Sequence, residues 1–234
     1  MDNGLYHAAG AMRSGEKRLE TIAHNLANVS TSGFKRETSF AHAVRSARGG
    51  QLQVVAGLAP DPSQGPLEST GNPLDLALDG RGWFAVEDSG DAGGRSYTRD
   101  GSFRIDDRGT LVTQDGRAVG WKGARGVLRP AGQAVTVDAR GAVRQGDAVI
   151  GELDVVDFAD SSRLVPNGAG RWTAPAGTQP TTSTARVRAG TLERSNVESM
   201  DELVALVAVQ RGFESAATAM RTIEQSYSRL NQPR

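Results

Sequence analysis

The chain has 234 residues, 27 Lys and Arg balanced by 27 Asp and Glu, and no cysteine. That balance offers no basic footprint for nucleic acid, and the missing thiols exclude a disulfide framework, a thiolate metal site and a cysteine nucleophile. The longest apolar run, LVALVAV at 203–209, is far short of the roughly 18–20 residues that span a bilayer, so no membrane insertion is expected. The N-terminus carries Asp2 and no compact apolar stretch after a basic start, which does not read as a cleavable signal peptide.

Glycine and proline divide the chain. Most of the 29 glycines lie between residues 60 and 190, and of the nine prolines none precedes Pro60 and only Pro233 follows Pro180. The ends are therefore free to be helical, while the middle is punctuated like a β domain. Near the N-terminus Leu5, Ala8, Met12, Gly15, Leu19, Ile22, Leu26 and Val29 recur at alternating spacings of three and four, the stripe of a helix that packs on other helices. Gly15 is a weak point in it, worth about 1 kcal/mol of propensity. The helix is expected to stop near residues 28–30, before a Ser-Thr-Ser-Gly run in which Gly33 can take positive φ.

Between the ends the period shortens. LDLAL at 74–78, WFAV at 83–86, SYT at 96–98, SFRI at 102–105, LV at 111–112, AVTVD at 134–138, ELDVVDF at 152–158 and RW at 171–172 read as short strands. Asp-Gly at 79–80, 100–101 and 115–116 and Asn-Gly at 167–168 separate them as hairpin turns do. Residues 168–184, with Pro175 and Pro180 amid Thr and Ser, read as a loop. At the C-terminal end Ser195 with Glu198, or Ser199 with Glu202, fits a capping box that opens a last helix. Its apolar line runs Leu203, Leu206, Gln210, Phe213, Ala217, Met220, Ile223, Tyr227 and Leu230. Residues 203–209 are apolar nearly all round, more surface than one partner helix covers.

These patterns predict an α+β fold. Long N- and C-terminal helices form a coiled-coil-like bundle and bracket a central, mainly antiparallel β domain, a sandwich or small barrel. The expected organisation is an assembly helix and turn at 1–40, an extended connector at 41–71, the β domain at 72–190 and a second assembly helix at 191–234. Identical copies joined head to tail through such helices close into a ring or grow as a filament.

No constellation for chemistry emerges. His24 lacks a second metal ligand at helical spacing, and Asp106 with Asp107 lacks the later glutamate of a calcium loop. Gly80-Arg81-Gly82 and the glycines of residues 90–94 are not followed by a phosphate-loop ending. The serines lack a nucleophile elbow, and no histidine follows His42 to serve as their base. The expectation is a protein without catalytic, cofactor-binding or metal residues. A remote alternative is a cell-wall carbohydrate-binding or hydrolytic β domain that stacks sugars on Trp83, Trp121 or Trp172.

Three strings in order carry a family resemblance. NLANVSTSGFKR at 25–36 resembles the N-terminal motif of the flagellar rod and hook proteins of bacteria. ESTGNPLDLALDGRGWFAV at 68–86, with YTRDGSF at 97–103 and GTLVTQDGRAVG at 109–120, resembles their central domain. GTLERSNVESMDELVALVAVQRGFESA at 190–216 resembles their C-terminal motif. Ser32 stands where the family usually has proline, and Gly212 where a larger residue is usual. The resemblance implies a structural subunit of the basal-body rod, located in the periplasm-spanning axis and exported unfolded by the flagellar type III apparatus without a cleaved signal peptide. It implies no cofactor, with copies of the chain and neighbouring rod and hook proteins as partners. The compact length leans toward the proximal rod, whereas the AVQRGFE stretch looks more like the distal rod. Carried onto this sequence, subunit packing falls to Asn25, Leu26, Asn28, Gly33, Phe34, Ser195, Asn196, Val197, Leu203, Val204, Gln210, Arg211 and Phe213. The helical stripes add Leu5, Met12, Leu19, Ile22, Val29, Leu206, Met220, Ile223 and Tyr227.

Overall fold

A computed structural model describes residues 3–45, 52–88, 94–124, 126–129 and 132–230. The chain divides into two compact units, one made of Met1–Ala27 with Glu198–Arg234, the other of Asn28–Val197.

The first unit is a helix pair. α1 (Asn3–Ala27) packs on α2 (Ser199–Leu230). The Glu202 N–H donates to the Glu198 carbonyl at 3.1 Å, so Glu198 holds the N-cap position and Ser199 is the first helical residue. Asp201 and Glu202 place carboxylates at the positive end of the helix dipole. Ser195 does not cap the helix; its Oγ accepts from the Val197 N–H at 3.2 Å in a tight turn. The coiled-coil-like bundle predicted from the stripes is not formed. Among the described residues there are two α-helices, each spending one stripe on the other. The α+β class stands, but as a helix pair and an antiparallel β unit.

The second unit holds β1 (Glu37–Arg45), β2 (Leu52–Pro60), β3 (Leu67–Ser69), β4 (Leu76–Asp79), β5 (Trp83–Glu87), β6 (Arg95–Thr98), β7 (Arg104–Ile105), β8 (Leu111–Val112), β9 (Val135–Val137), β10 (Ala142–Gln145), β11 (Ala148–Glu152), β12 (Val155–Asp157), β13 (Val165–Pro166), β14 (Arg171–Thr173), β15 (Thr181–Thr182), β16 (Arg186–Ala189) and β17 (Thr191–Glu193). The main sheet runs β13-β14-β6-β5-β12-β15, and a smaller one runs β11-β10-β9. Every pairing among the named strands is antiparallel. Where the prolines at 60–66 suggest an extended connector from residue 41, β1 and β2 form a ladder with Glu37 opposite Pro60.

Alternation along β5 and β12 splits the core in two. Trp83, Ala85 and Val156 join Tyr97, Phe158, Leu164 and Trp172 on one face. Phe84 and Val155 join Leu76, Leu78, Phe103, Leu111 and Leu153 on the other. Because both faces are covered, WFAV reads as an unbroken apolar run. Of the four turn dipeptides, Asn167-Gly168 joins β13 to its partner β14, and Asp115-Gly116 closes a tight turn in which Gly116 has φ 82° and donates to Thr113 O at 3.0 Å. Asp79-Gly80 and Asp100-Gly101 join strands that do not pair: β4 pairs with β16, and β7 with β8.

Candidate assembly interface

Within the helix pair, Ile22 and Asn25 of α1 are buried, and Met12, Gly15, Leu19 and Leu26 are half-buried. Opposite them on α2, Glu202 and Val209 are buried, and Leu206, Phe213, Met220 and Ile223 are half-buried. Asn25 Nδ2 donates to Glu202 Oε1 at 3.3 Å inside the pair, so a carboxylate sits where an apolar pattern has no place for one. The inward stripe on α2 is therefore Glu202, Leu206, Val209, Phe213. Leu203 and Gln210, written into the seam by spacing, lie outside it and are exposed, as is Arg211. Leu5 and Tyr227 lie in α1 and α2, with side chains outside the described residues.

The outward face of α2 is apolar. Met200 is 69% exposed, Leu203 42%, Val204 67% and Val207 47%, and with Ala208 and Arg211 they border a shallow groove of about 580 Å³. Monomers seldom leave so many large apolar side chains together on one helix face.

In the second unit, the segment after α1 and the segment before α2 run side by side. Asn28 and Thr31 close the turn: the Thr31 N–H donates to Asn28 O, and Thr31 Oγ1 to Asn28 Oδ1, both at 3.1 Å. Gly33 has φ 65°, and a Cβ there would stand 2.1 Å from the Asp100 nitrogen, so only glycine fits. Its N–H donates to Glu193 O at 2.7 Å, and the Asn196 N–H donates to Phe34 O at 3.4 Å. The Asn196 side chain clips the pair together. Its Oδ1 accepts from the Arg36 N–H at 2.6 Å, and its Nδ2 donates to Ser63 O at 3.0 Å. Phe34 and Val197 are buried here, and Asn28, Val29 and Asn196 half-buried.

A buried charge cluster lies beside the clip. Lys35 Nζ donates to Glu193 Oε1 and to Ser63 O, each at 2.6 Å. Arg99 Nη1 donates to Glu193 Oε2 at 3.0 Å and Nη2 to Gly80 O at 2.9 Å, while the Gly65 N–H donates to Glu193 Oε1 at 2.9 Å. The Arg99 guanidinium stands 5.7 Å from the Trp83 ring centre. The side chains of Lys35 and Glu193 are fully buried, and that of Arg99 is 3% exposed. Burial pulls the Lys35 ammonium below the usual lysine pKa, against the attraction of Glu193, and Arg99 adds to the lowering. Burial likewise lowers Arg99 against the pull of Glu193. Two cations thus share one carboxylate. None of the three stands out in the sequence, since KR, TRD and ER runs usually belong to solvated faces. The available signal was their placement, one in each of GFKR, YTRDGSF and GTLERSN.

The tryptophans give the carbohydrate reading no platform. Trp83, Trp121 and Trp172 are only 2%, 8% and 2% exposed. Asp106 serves a turn, its Oδ1 accepting from the Arg108 and Thr110 N–H groups. Among the described residues no group of three or more His, Asp or Glu could hold a metal ion. Most of residues 90–94 lies outside the described residues.

Three family models match in the order of the fold. Residues 5–35, covering α1 and the turn after it, match the flagella basal body rod protein family. Residues 77–145 match the flagellar hook protein FlgE/F/G D1 domain, and residues 188–232 the flagellar basal body rod FlgEFG protein C-terminal family. Flagellar basal-body rod protein FlgF of Caulobacter vibrioides is 35% identical over 231 residues, 94% of this chain and 93% of that protein. FlgG of Bacillus subtilis is 32% identical over 266 residues, 98% of each chain, and FlgF of Escherichia coli 32% over 251 residues, 99% and 98%. Helix, β unit and helix matched in that sequence define a structural protein of the bacterial flagellar axis. The chain belongs to the family of flagellar basal-body rod proteins.

Proposed function

We propose that the chain is built into the rod through its terminal helices, and that Met200, Leu203, Val204 and Val207 of α2 receive the neighbouring subunit. The observation that carries this reading is the position of those four side chains, outward on a helix whose other face is already occupied by α1. Burying such a side chain fully is worth about 1.5–3 kcal/mol, so four of them supply much of what a subunit contact needs. The neighbours are copies of the chain and other rod and hook proteins, and delivery is by the flagellar type III export apparatus. The role is structural, with no reaction catalysed.

Within the family we assign the chain to the FlgF kind, a proximal rod subunit. The compact length of the chain and its 35% identity to C. vibrioides FlgF, against 32% to B. subtilis FlgG, support this assignment.

Both parts are tested in the source bacterium. A gene encoding Val204→Asp should yield a folded, exported subunit and no rod, and normal rods built from that variant would overturn the assembly face. Deleting the gene should remove the proximal rod and everything beyond it; survival of a proximal rod would reassign the chain to the distal segment.

A further inference from the structure

We propose that the cluster of Lys35, Glu193 and Arg99 is a lock on which the pairing of α1 and α2 depends. The helices gain little from each other alone. Among the described apolar residues of their unit only Ile22 and Val209 are more than nine-tenths buried, while the rest of the seam, Leu19, Leu26, Leu206 and Phe213 among it, is half-buried, so the pair has a thin core. The whole β unit lies between them in sequence, so their meeting also carries a loop-closure cost unless folding of that unit removes it. Bonds from Gly33 to Glu193, Asn196 to Phe34 and Arg36 to Asn196 draw the stretch leaving α1 against the stretch leading into α2. Closing the loop in this way raises the effective concentration of one helix for the other.

Glu193 is the keystone because of the charge count. It accepts from Lys35, Arg99 and the Gly65 N–H at once. Removing its charge takes away the one carboxylate hydrogen-bonded to both buried cations, leaving Lys35 only the attraction of Asp61 and Arg99 that of Asp157, a strongly destabilising change. Removing the Lys35 charge leaves the Arg99–Glu193 pair neutral and still bonded. The lock should thus fail when Glu193 is changed and survive, weakened, when Lys35 is.

Hydrogen exchange on the full-length chain tests this. In Glu193→Gln, amides of residues 33–36 and 193–197 and of both helices should exchange at least about tenfold faster, with β5 and β12 unchanged. Lys35→Met should give a smaller change in the same peptides. Wild-type exchange in the helices of an opened Glu193→Gln lock would show that they pair unaided and would overturn the proposal. Equal loss of protection in β5 and β12 would overturn it as well, by making Glu193 a plain part of the β core. Should Glu193→Gln not yield folded protein, Lys35→Met decides alone, since it opens one arm of the cluster and leaves the Arg99–Glu193 pair neutral and bonded. Faster helix exchange in Lys35→Met upholds the lock, and unchanged helix exchange ends it.

Discussion

Phe213 lies so close to Gly15 that a Cβ at residue 15 would stand 3.0 Å from the ring's Cε2. The glycine that interrupts the α1 stripe therefore admits an aromatic ring of α2. Gly212, next to that ring in sequence, has nothing within 4 Å of where its Cβ would be. Alanine at either position should gain about 1 kcal/mol of helix propensity, but only Gly212→Ala should keep all of it, because at residue 15 the ring must shift. Thermal melts followed by far-UV circular dichroism will check the order. An equal gain in both variants would mean that Phe213 is not held against Gly15.

The two faces of α2 should respond differently to a carboxylate. Val204 is 67% exposed and Val209 8%. Val204→Asp should change the stability of the single chain by no more than about 0.5 kcal/mol, whereas Val209→Asp buries an unpaired charge against α1 and should cost about 3 kcal/mol or more. Denaturant titration of each monomer gives the comparison. Similar losses in the two variants would contradict the assignment of Val209 to the pair and Val204 to the outer face.

Asp100 should make the β unit less stable as the pH rises. Burial raises its pKa above the usual carboxylate range, against the bonds that Oδ1 accepts from Ser102 N–H and Oγ, and the charges of Asp75 and Asp115 raise it further. The folded chain thus holds this proton more tightly than the unfolded one. The stability it contributes is fully present below the unfolded value, about 3.9, and is lost as pH rises through the folded pKa. Asp100→Asn keeps an oxygen for Ser102 and removes the charge. Its Tm should exceed that of the parent at pH 7, and the excess should shrink near pH 4. A lower Tm for the variant at pH 7 would refute the sign.

The helices were legible because a period of three and four survives any tertiary context, and their ends were marked by Ser-Thr-Ser-Gly and by the Ser-Glu pairs near residue 199. Short apolar runs made the strands at 74–78, 83–86, 96–98 and 111–112 legible, but β1, β2 and β3 lay in what reads as a connector, β15 in what reads as a loop, β16 and β17 gave no signal, and the pairing partners were not legible. Asp79-Gly80 has the chemistry of a hairpin turn, yet β4 pairs with β16, whose residues lie far along the chain. Leu206 and Phe213 of the α2 stripe face the pair as the spacing predicts, but the apolar pattern chooses Leu203 and Gln210 where the fold chooses Val209 and Glu202, whose carboxylate has Asn25 to bond to. Lys35, Arg99 and Glu193 were hidden for a related reason. A charge becomes a core residue only when a partner arrives from another part of the chain, and local sequence does not show that meeting.

Gly33 and Gly71 separate backbone strain from close approach. Both have positive φ, 65° and 76°, so alanine at either costs the left-handed penalty of about 1–2 kcal/mol. Only at Gly33 would the new Cβ also strike the backbone, 2.1 Å from the Asp100 nitrogen, while at Gly71 nothing lies within 4 Å. Gly71→Ala should therefore lose only the strain. Gly33→Ala must in addition push the segment after α1 off residues 99–100 and stretch the Gly33 bond to Glu193, an added loss of about 2 kcal/mol or more. Denaturant midpoints of the two variants measure the difference. Equal losses would show that the segment can move away from Asp100 without cost, which the shared Glu193 and Asn196 bonds argue against.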